Sequence, residues 1–162
     1  MSVRLRLCHT DPGLWPAKAA DGTPYARQLI WPQLTAFVAR SLPETVVALF
    51  AEPVVQGHNN STEWWSLLPG QPVPLLSLSK EEQGRVNDIL RQRLDLVRHL
   101  GERYRVAGNR QAAELIAQAS VTPGADQVMV QNGHPVIIGW GYPGAGIQPL
   151  QFADAPRDVR GR

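Results

Sequence analysis

Cysteine is almost missing from this 162-residue chain, in which Cys8 is the single example. One cysteine cannot form an internal disulfide or a multi-cysteine zinc site, so both of these frameworks are excluded. The sequence also lacks any apolar run near the ~20 residues that cross a bilayer. Its first residues lack the long apolar stretch of a secretory signal. We therefore expect a cytoplasmic protein without membrane insertion.

A large excess of one charge is missing as well, because 16 basic residues face 14 acidic ones and the net charge is +2. Apolar residues make up 43% of the chain, which is enough for a packed core. The length suits one domain of the usual size, about 100–150 residues. We expect a single α+β domain over 1–142 and a flexible C-terminal tail over 143–162, which opens with glycine and proline and ends rich in arginine.

Known catalytic and phosphate-binding motifs are missing too. The sequence contains no G-x-S-x-G, no Walker-type loop and no H-E-x-x-H, and its four histidines do not stand at metal-ligand spacing. Cys8 needs a base to act as a nucleophile, and its neighbour His9 would point to the opposite face of a strand. Glu63 lies beside Trp64, and a carboxylate against an aromatic ring can act as an acid. We expect no catalytic residue, no metal and no cofactor. A hydrolase or toxin that uses Glu63 or the Cys8–His9 pair is the third-ranked alternative.

Short elements are indicated in the first half of the chain. Runs rich in apolar and β-branched residues favour strands, and apolar residues at helical spacing favour a helix. Pro72 and Pro74 place the last of these strands at a sheet edge. The predictions are strands at 3–8, 45–51, 62–67 and 73–76, a helix at 32–41, and a hairpin that joins the second and third strands through a turn at 57–61.

The second half begins with a helix start signal. Ser79 and Glu82 have the spacing of a capping box, and apolar residues follow at helical spacing. Gly108 and Asn109 then form a stop signal. We predict an antiparallel helix pair at 80–106 and 110–120, with one continuous helix as the alternative.

A tight turn is predicted at Asn132 and Gly133, because Asn-Gly between apolar runs favours a type I′ hairpin. The flanking strands are predicted at 126–131 and 134–140. The expected fold is therefore a small, mainly antiparallel sheet of two hairpins, with an inserted helical hairpin packed on one face.

Tryptophan is frequent in the predicted strands. Trp64 and Trp65 are adjacent, so they should point to opposite faces of the sheet, and Trp140 lies in the last strand. Core packing is the first interpretation of all three. Because tryptophan is also enriched in protein interfaces, the three are our candidate partner-binding residues.

Arginine is concentrated between residues 91 and 110. The first interpretation is a solvated helix face, with Asp95 pairing with Arg91 and Glu102 with Arg98 four residues away. The alternative is a surface for nucleic acid or another polyanion. The candidate residues for that surface are Arg91, Arg98, Arg105 and Arg110.

Two segments together resemble a known family. Residues 62–82 read TEWWSLLPGQPVPLLSLSKEE, an aromatic pair followed by a Pro-Gly turn and a capped helix. Residues 127–141 read QVMVQNGHPVIIGWG, a hairpin that closes with Trp-Gly. Over about 46–141, the order and the motifs are similar to the bacterial virulence-associated SrfA family.

The resemblance implies a cytoplasmic protein encoded with larger partners in an operon, and it implies no established enzyme chemistry. The first functional hypothesis is therefore a non-catalytic adaptor or subunit of a bacterial virulence- or secretion-associated multiprotein system, in contact with other proteins of the same operon. A nucleic-acid-binding module is the alternative, and the oligomeric state stays open.

Overall fold

Residues 4–10, 27–55 and 62–141 are described by a computed structural model. The predicted tail at 143–162 and the predicted turn at 57–61 lie outside these residues. The described residues form six strands and four helices, besides two short 3₁₀ turns. In chain order they are β1 Leu5–Thr10, α1 Arg27–Ala39, α2 Glu44–Val47, β2 Glu52–Val55, β3 Thr62–Ser66, β4 Val73–Pro74, α3 Lys80–Val106, α4 Arg110–Ala119, β5 Val128–Gln131 and β6 His134–Ile137.

The strands belong to two antiparallel sheets of three strands each, with the orders β1-β3-β2 and β4-β5-β6. The α+β class is confirmed, and so is a helical hairpin inserted between two strand hairpins, although the first of these, β2–β3, uses Glu52–Val55 in place of the predicted 45–51. The prediction of one shared sheet is wrong. Among the described residues, the sheets meet at one parallel bridge, between Phe50 and Ile137.

The predicted strand at 45–51 is also wrong, because Glu44–Val47 form the short helix α2 and β2 follows after a turn. Pro43 stands just before the first helical residue, where its fixed φ favours a helix start and its missing N–H costs nothing. Its carbonyl accepts hydrogen bonds from the N–H groups of Val46 at 2.9 Å and Val47 at 3.1 Å. Strand preference of β-branched residues is a weak signal, and this local turn overrides it.

Two helices follow in the second half, as predicted, and not one continuous helix. The Ser79 hydroxyl accepts from the Glu82 N–H at 3.1 Å, and the Glu82 carboxylate accepts from the Ser79 N–H at 3.4 Å, so the capping box starts α3. Gly108 has a φ of +89° and ends the helix. The side chain of Asn109 then caps the first turn of α4.

The two helices run antiparallel and in close contact. Arg98 of α3 lies beside Ser120 at the end of α4, and Gly101, one turn further along α3, lies beside Ile116. A Cβ at Gly101 would stand 2.8 Å from the Ile116 Cγ2 atom. Glycine therefore lets the two backbones approach at this point.

The β5–β6 hairpin turns at the predicted residues. Asn132 has a φ of +50° and Gly133 a φ of +82°, so both occupy the left-handed region that a type I′ turn requires. The strands are shorter than predicted at 126–131 and 134–140. A 3₁₀ turn precedes β5, and Gly139, with a φ of +64°, follows β6.

Smaller differences concern element ends. α1 starts before Pro32, which lies inside the helix, whereas the prediction placed its start there. β1 is shifted by two residues from the predicted 3–8. β4 has two residues and forms an edge, as Pro72 and Pro74 predicted, before a 3₁₀ turn begins.

Candidate binding surfaces

The outward face of the first sheet is set by alternation along β3. Trp64 is buried whereas Glu63 and Trp65 are half-buried, so Trp64 and Trp65 lie on opposite faces, as predicted. The strand register places Arg6 of β1 and Glu52 of β2 opposite Trp65. We call the outward group the outer face: Arg4, Arg6, Glu52, Glu63 and Trp65.

Two ion pairs span the outer face. Arg4 Nη1 lies 2.6 Å from Glu52 Oε1, and Arg6 Nη1 lies 3.3 Å from Glu63 Oε2. Both arginine side chains remain about half exposed. An exposed pair of this kind contributes about 0–1 kcal/mol, so its members exchange partners at little cost.

Trp65 lies beneath one of these arginines. The Arg4 Cζ atom is 4.9 Å from the centre of the indole ring, which is the geometry of a cation–π contact. The indole N–H of Trp65 is buried and has no hydrogen-bond partner. A buried donor without an acceptor costs about 1–3 kcal/mol, so an incoming acceptor at this point would be stabilising.

A small cleft beside Trp65 separates β3 from α2. Its volume is about 30 Å³, and Val47, Leu67 and Glu44 contribute to its walls. Leu67 is an exposed apolar residue. A cleft of this size holds about one water molecule, whereas small-molecule pockets measure roughly 300–1,000 Å³. The surface therefore suits contact with another macromolecule better than a small ligand.

The other two candidate tryptophans belong to the core. Trp64 is 1% exposed and donates its indole N–H to the Thr10 hydroxyl at 3.1 Å. Trp140 is 3% exposed and donates to the Ala51 carbonyl at 2.7 Å, with its ring edge-on to Phe50. Neither indole is accessible in this structure, so their burial opposes the predicted role in partner binding. The first interpretation, core packing, is correct for both.

The strand β1 lies at an edge of the first sheet. Among the described residues it pairs with one strand, β3. Its register shifts between Arg6 and Cys8, which marks a bulge at Leu7. A bulge and flanking arginines limit the pairing of an edge strand with further strands, so a strand added here would need side chains that pair with these arginines.

Three of the four candidate arginines form a stripe on α3. Arg91, Arg98 and Arg105 recur every seven residues, so they lie on one side of the helix. Each pairs with a carboxylate three residues earlier, whereas the sequence predicted partners four residues away. The pairs are Asp88–Arg91 at 3.1 Å, Asp95–Arg98 at 3.7 Å and Glu102–Arg105. The stripe therefore carries as many acidic groups as basic ones.

Hydrogen bonds set the individual roles within the stripe. The hydrogen bond from Arg105 holds the pKa of the Glu102 carboxyl below its usual range. Arg98 donates to the Ser120 carbonyl from Nε at 3.0 Å and from Nη2 at 2.6 Å, so it caps the end of α4. Arg110 is exposed at the first residue of α4.

The candidate catalytic groups are held in structural contacts. Burial raises the pKa of the Cys8 thiol to about 11, although the charge of Arg6 lowers it. At neutral pH the thiol is therefore protonated and a poor nucleophile. The Glu63 carboxylate is paired with Arg6. These contacts favour structural roles for both groups.

A cluster of buried polar atoms at the β5–β6 turn carries no local sequence signal. Gln131 and His134 face each other across the turn, and the Gln131 amide donates to the Leu68 and Gly70 carbonyls, both at 3.0 Å. Gln131 Oε1, His134 Nδ1 and Arg93 Nη1 are buried without hydrogen-bond partners. Burial, and then the charge of Arg93, lowers the pKa of His134. Because α3 and the hairpin are far apart in sequence, local sequence patterns do not predict this cluster.

The outer face and the arginine stripe are the two surfaces that carry candidate residues. No described helix is both long and apolar enough to cross a membrane. Within residues 4–10, 27–55 and 62–141, no group of three or more histidine, cysteine, aspartate or glutamate side chains is placed to hold a metal ion. No protein-family model, curated protein or solved structure matches the chain.

Proposed function

We propose that this protein is a non-catalytic adaptor or subunit of a bacterial multiprotein system and that it acts through protein–protein contacts. The observation that carries the proposal is Trp65, whose buried indole N–H has no acceptor and whose ring is covered by the exchangeable Arg4. Tryptophan and arginine are the residue types in which interfaces concentrate binding energy. The resemblance of 62–82 and 127–141 to the SrfA family supports a virulence- or secretion-associated setting with partners from the same operon.

The contact would begin with displacement of Arg4. Its ion pair with Glu52 is partly exposed and therefore weak, so the guanidinium can rotate away from the ring. A carbonyl or carboxylate oxygen of the partner then accepts from the Trp65 N–H. The donor recovers the ~1–3 kcal/mol that its missing hydrogen bond costs, and the partner buries the indole ring.

The charges of the outer face indicate the chemistry of the partner. Arg6 lies in the edge strand β1, and Arg4 lies just before it. Acidic side chains of the partner can therefore pair with both arginines at this edge. An extended partner segment beside β1 would bring such side chains within reach, and added strands of this kind are a common mode of recognition. The partner we expect is therefore a protein segment with carboxylates near an exposed backbone.

The first experiment identifies the partner in the native host. The full chain is tagged and recovered at high salt, and co-purifying proteins are identified by mass spectrometry. Trp65→Ala should lose the operon-encoded proteins, whereas Leu96→Ala, which removes an exposed apolar side chain from α3, should retain them. Circular dichroism must show that both variants are folded. Equal recovery with folded Trp65→Ala contradicts the proposal.

Nucleic-acid binding is the second candidate function, because Arg91, Arg98 and Arg105 are aligned along α3. The paired carboxylates oppose it, since they place negative charge beside each arginine. Titration of the wild-type chain with duplex and single-stranded nucleic acid decides between the two. Submicromolar affinity at physiological salt, with a steep salt dependence, would promote this candidate above the first.

A further inference from the structure

Acidic and basic residues alternate in one row along the exposed side of α3. They follow one another at intervals of three and four residues in turn, so they stay on one side of this 27-residue helix. A row with this spacing is the pattern by which two helices remain in contact along their lengths. We call the six residues the charged row: Asp88, Arg91, Asp95, Arg98, Glu102 and Arg105.

The charged row is open to solvent. Its side chains are between 40% and 69% exposed, so the ion pairs within the helix are weak and can exchange partners. Arg98 is bound to the Ser120 carbonyl through Nε and Nη2. Its Nη1 group, 3.7 Å from Asp95, is left to pair with a further carboxylate.

The order of the charges is self-complementary. A two-fold axis that crosses α3 midway between Asp95 and Arg98 generates a second helix that runs antiparallel to the first. Residues at equal distances from the axis then face each other across the two helices, and every such pair joins opposite charges. A parallel alignment would place each residue opposite its own copy, so like charges would repel. The facing pairs are Asp95 with Arg98, Arg91 with Glu102, and Asp88 with Arg105.

A groove of about 520 Å³ between α3 and α4 adjoins the C-terminal half of the charged row. Glu102 and Arg105 stand on its α3 side, and the small residue Ala117 belongs to its α4 wall. The two-fold axis places Arg91 and Asp88 of a second copy opposite these two charged residues. The apolar stem of an arginine can pack along such a wall while its guanidinium reaches a carboxylate. The groove therefore gives the long side chains of a second helix a place to pack.

We propose that α3 binds α3 of a second copy of this chain in antiparallel orientation, through the charged row. The occupant is a second copy because the row complements its own reverse at all three pairs of positions, as an isologous two-fold interface requires. Trp65 is not part of this surface. The dimer therefore goes beyond the adaptor contact proposed above, and each of the two proposals can fail without the other.

The first test is sedimentation of the full wild-type chain. It is measured at low and high salt over concentrations from about 1 μM to about 1 mM, which cover the Kd range of weak association. We expect a monomer–dimer equilibrium whose Kd rises at least about tenfold from about 0.1 M to about 1 M salt, because the Debye length falls from about 10 Å to about 3 Å. A chain that stays monomeric throughout would overturn the proposal and leave the charged row to another occupant. A dimer whose Kd is independent of salt would overturn it too.

Charge reversals at one facing pair test the register. Arg91→Glu and Glu102→Arg each put like charges opposite each other twice in the dimer, so each variant alone should dimerise at least about tenfold more weakly than wild type. The control Arg103→Glu makes the same change of charge as Arg91→Glu at an exposed residue outside the row, and it should dimerise like wild type. Circular dichroism must show that all three variants are folded. Folded row variants that dimerise like wild type would overturn the proposal.

Mixing Arg91→Glu with Glu102→Arg tests the contact itself. In a mixed dimer, residue 91 of each chain faces residue 102 of the other with opposite charge, so the mixture should form dimers although neither variant does so alone. The two positions are about 16 Å apart along one helix, so contacts within a chain cannot produce this rescue. A control mixture of Arg103→Glu with Glu102→Arg has the same net charges but keeps one like-charge contact, so it should form fewer mixed dimers. Native mass spectrometry identifies each species, and a test mixture no more dimeric than its components would overturn the proposal.

Discussion

Alanine at Gly133 should destabilise the protein, whereas the same replacement at Gly84 should stabilise it. A Cβ built at either position has no heavy atom within 4 Å, so neither substitution creates a clash. The two sites differ in backbone conformation, because Gly133 has a φ of +82° whereas Gly84 lies inside α3. An L-residue in the left-handed region costs about 1–2 kcal/mol. Alanine in place of a helical glycine contributes about 0.5–1 kcal/mol of stability.

Thermal and urea unfolding of both variants measure these changes. A change of 1 kcal/mol shifts the Tm of a chain this long by about 2–4 °C. Gly133→Ala should therefore lower the Tm by about 2–8 °C, and Gly84→Ala should raise it by about 1–4 °C. Gly133→Val should lower it at least as far as alanine, because a β-branched side chain resists positive φ more strongly. A Gly133→Ala variant that melts at or above the wild-type temperature would refute the type I′ assignment.

Three further predictions concern single side chains. Arg98→Gln should lower the free energy of unfolding by about 1 kcal/mol, because it removes the charged donors that cap α4, whereas Arg91→Gln should change it little in urea titrations. Burial keeps the pKa of His134 below its ordinary 6.5, so protonation opposes folding and stability should fall as the pH drops below about 6.5. His134→Asn should remove part of that loss of stability, and equal pH profiles of stability for wild type and His134→Asn would contradict this prediction. The Cys8 thiol, with its pKa of about 11, should react with iodoacetamide about 100-fold more slowly in the native than in the urea-unfolded chain, and equal rates would show that it is not buried.

The features that could be predicted from sequence are those that a few neighbouring residues determine. Ser79 and Glu82 start α3 by contacts three residues apart, and Asn132-Gly133 reverses the chain within two residues. Such signals depend little on the rest of the fold. The strand prediction at 45–51 failed because it relied on β-branched preference, a weak signal that the local turn after Pro43 overrides.

The candidate site depended on contacts between residues distant in sequence. Trp140 donates to Ala51, 89 residues away, and that contact places it in the core. Arg98 caps α4 through Ser120, 22 residues away, which changes its expected role. The alternation of Trp64 and Trp65 was predictable, but which of them faces outward is decided by the layers packed on each side of the sheet.

The affinity of the purified partner for variants of Trp65 tests the proposed contact most directly. Calorimetric titrations would compare wild type, Trp65→Phe, Trp65→Ala and the control Leu96→Ala, all shown to be folded. We expect Trp65→Ala to weaken binding at least about 30-fold, which corresponds to the ~2 kcal/mol of an interface hot spot. Trp65→Phe keeps a ring but lacks the N–H, so it should lose about tenfold, and Leu96→Ala should bind like wild type. Wild-type affinity for a folded Trp65→Ala variant would contradict the account.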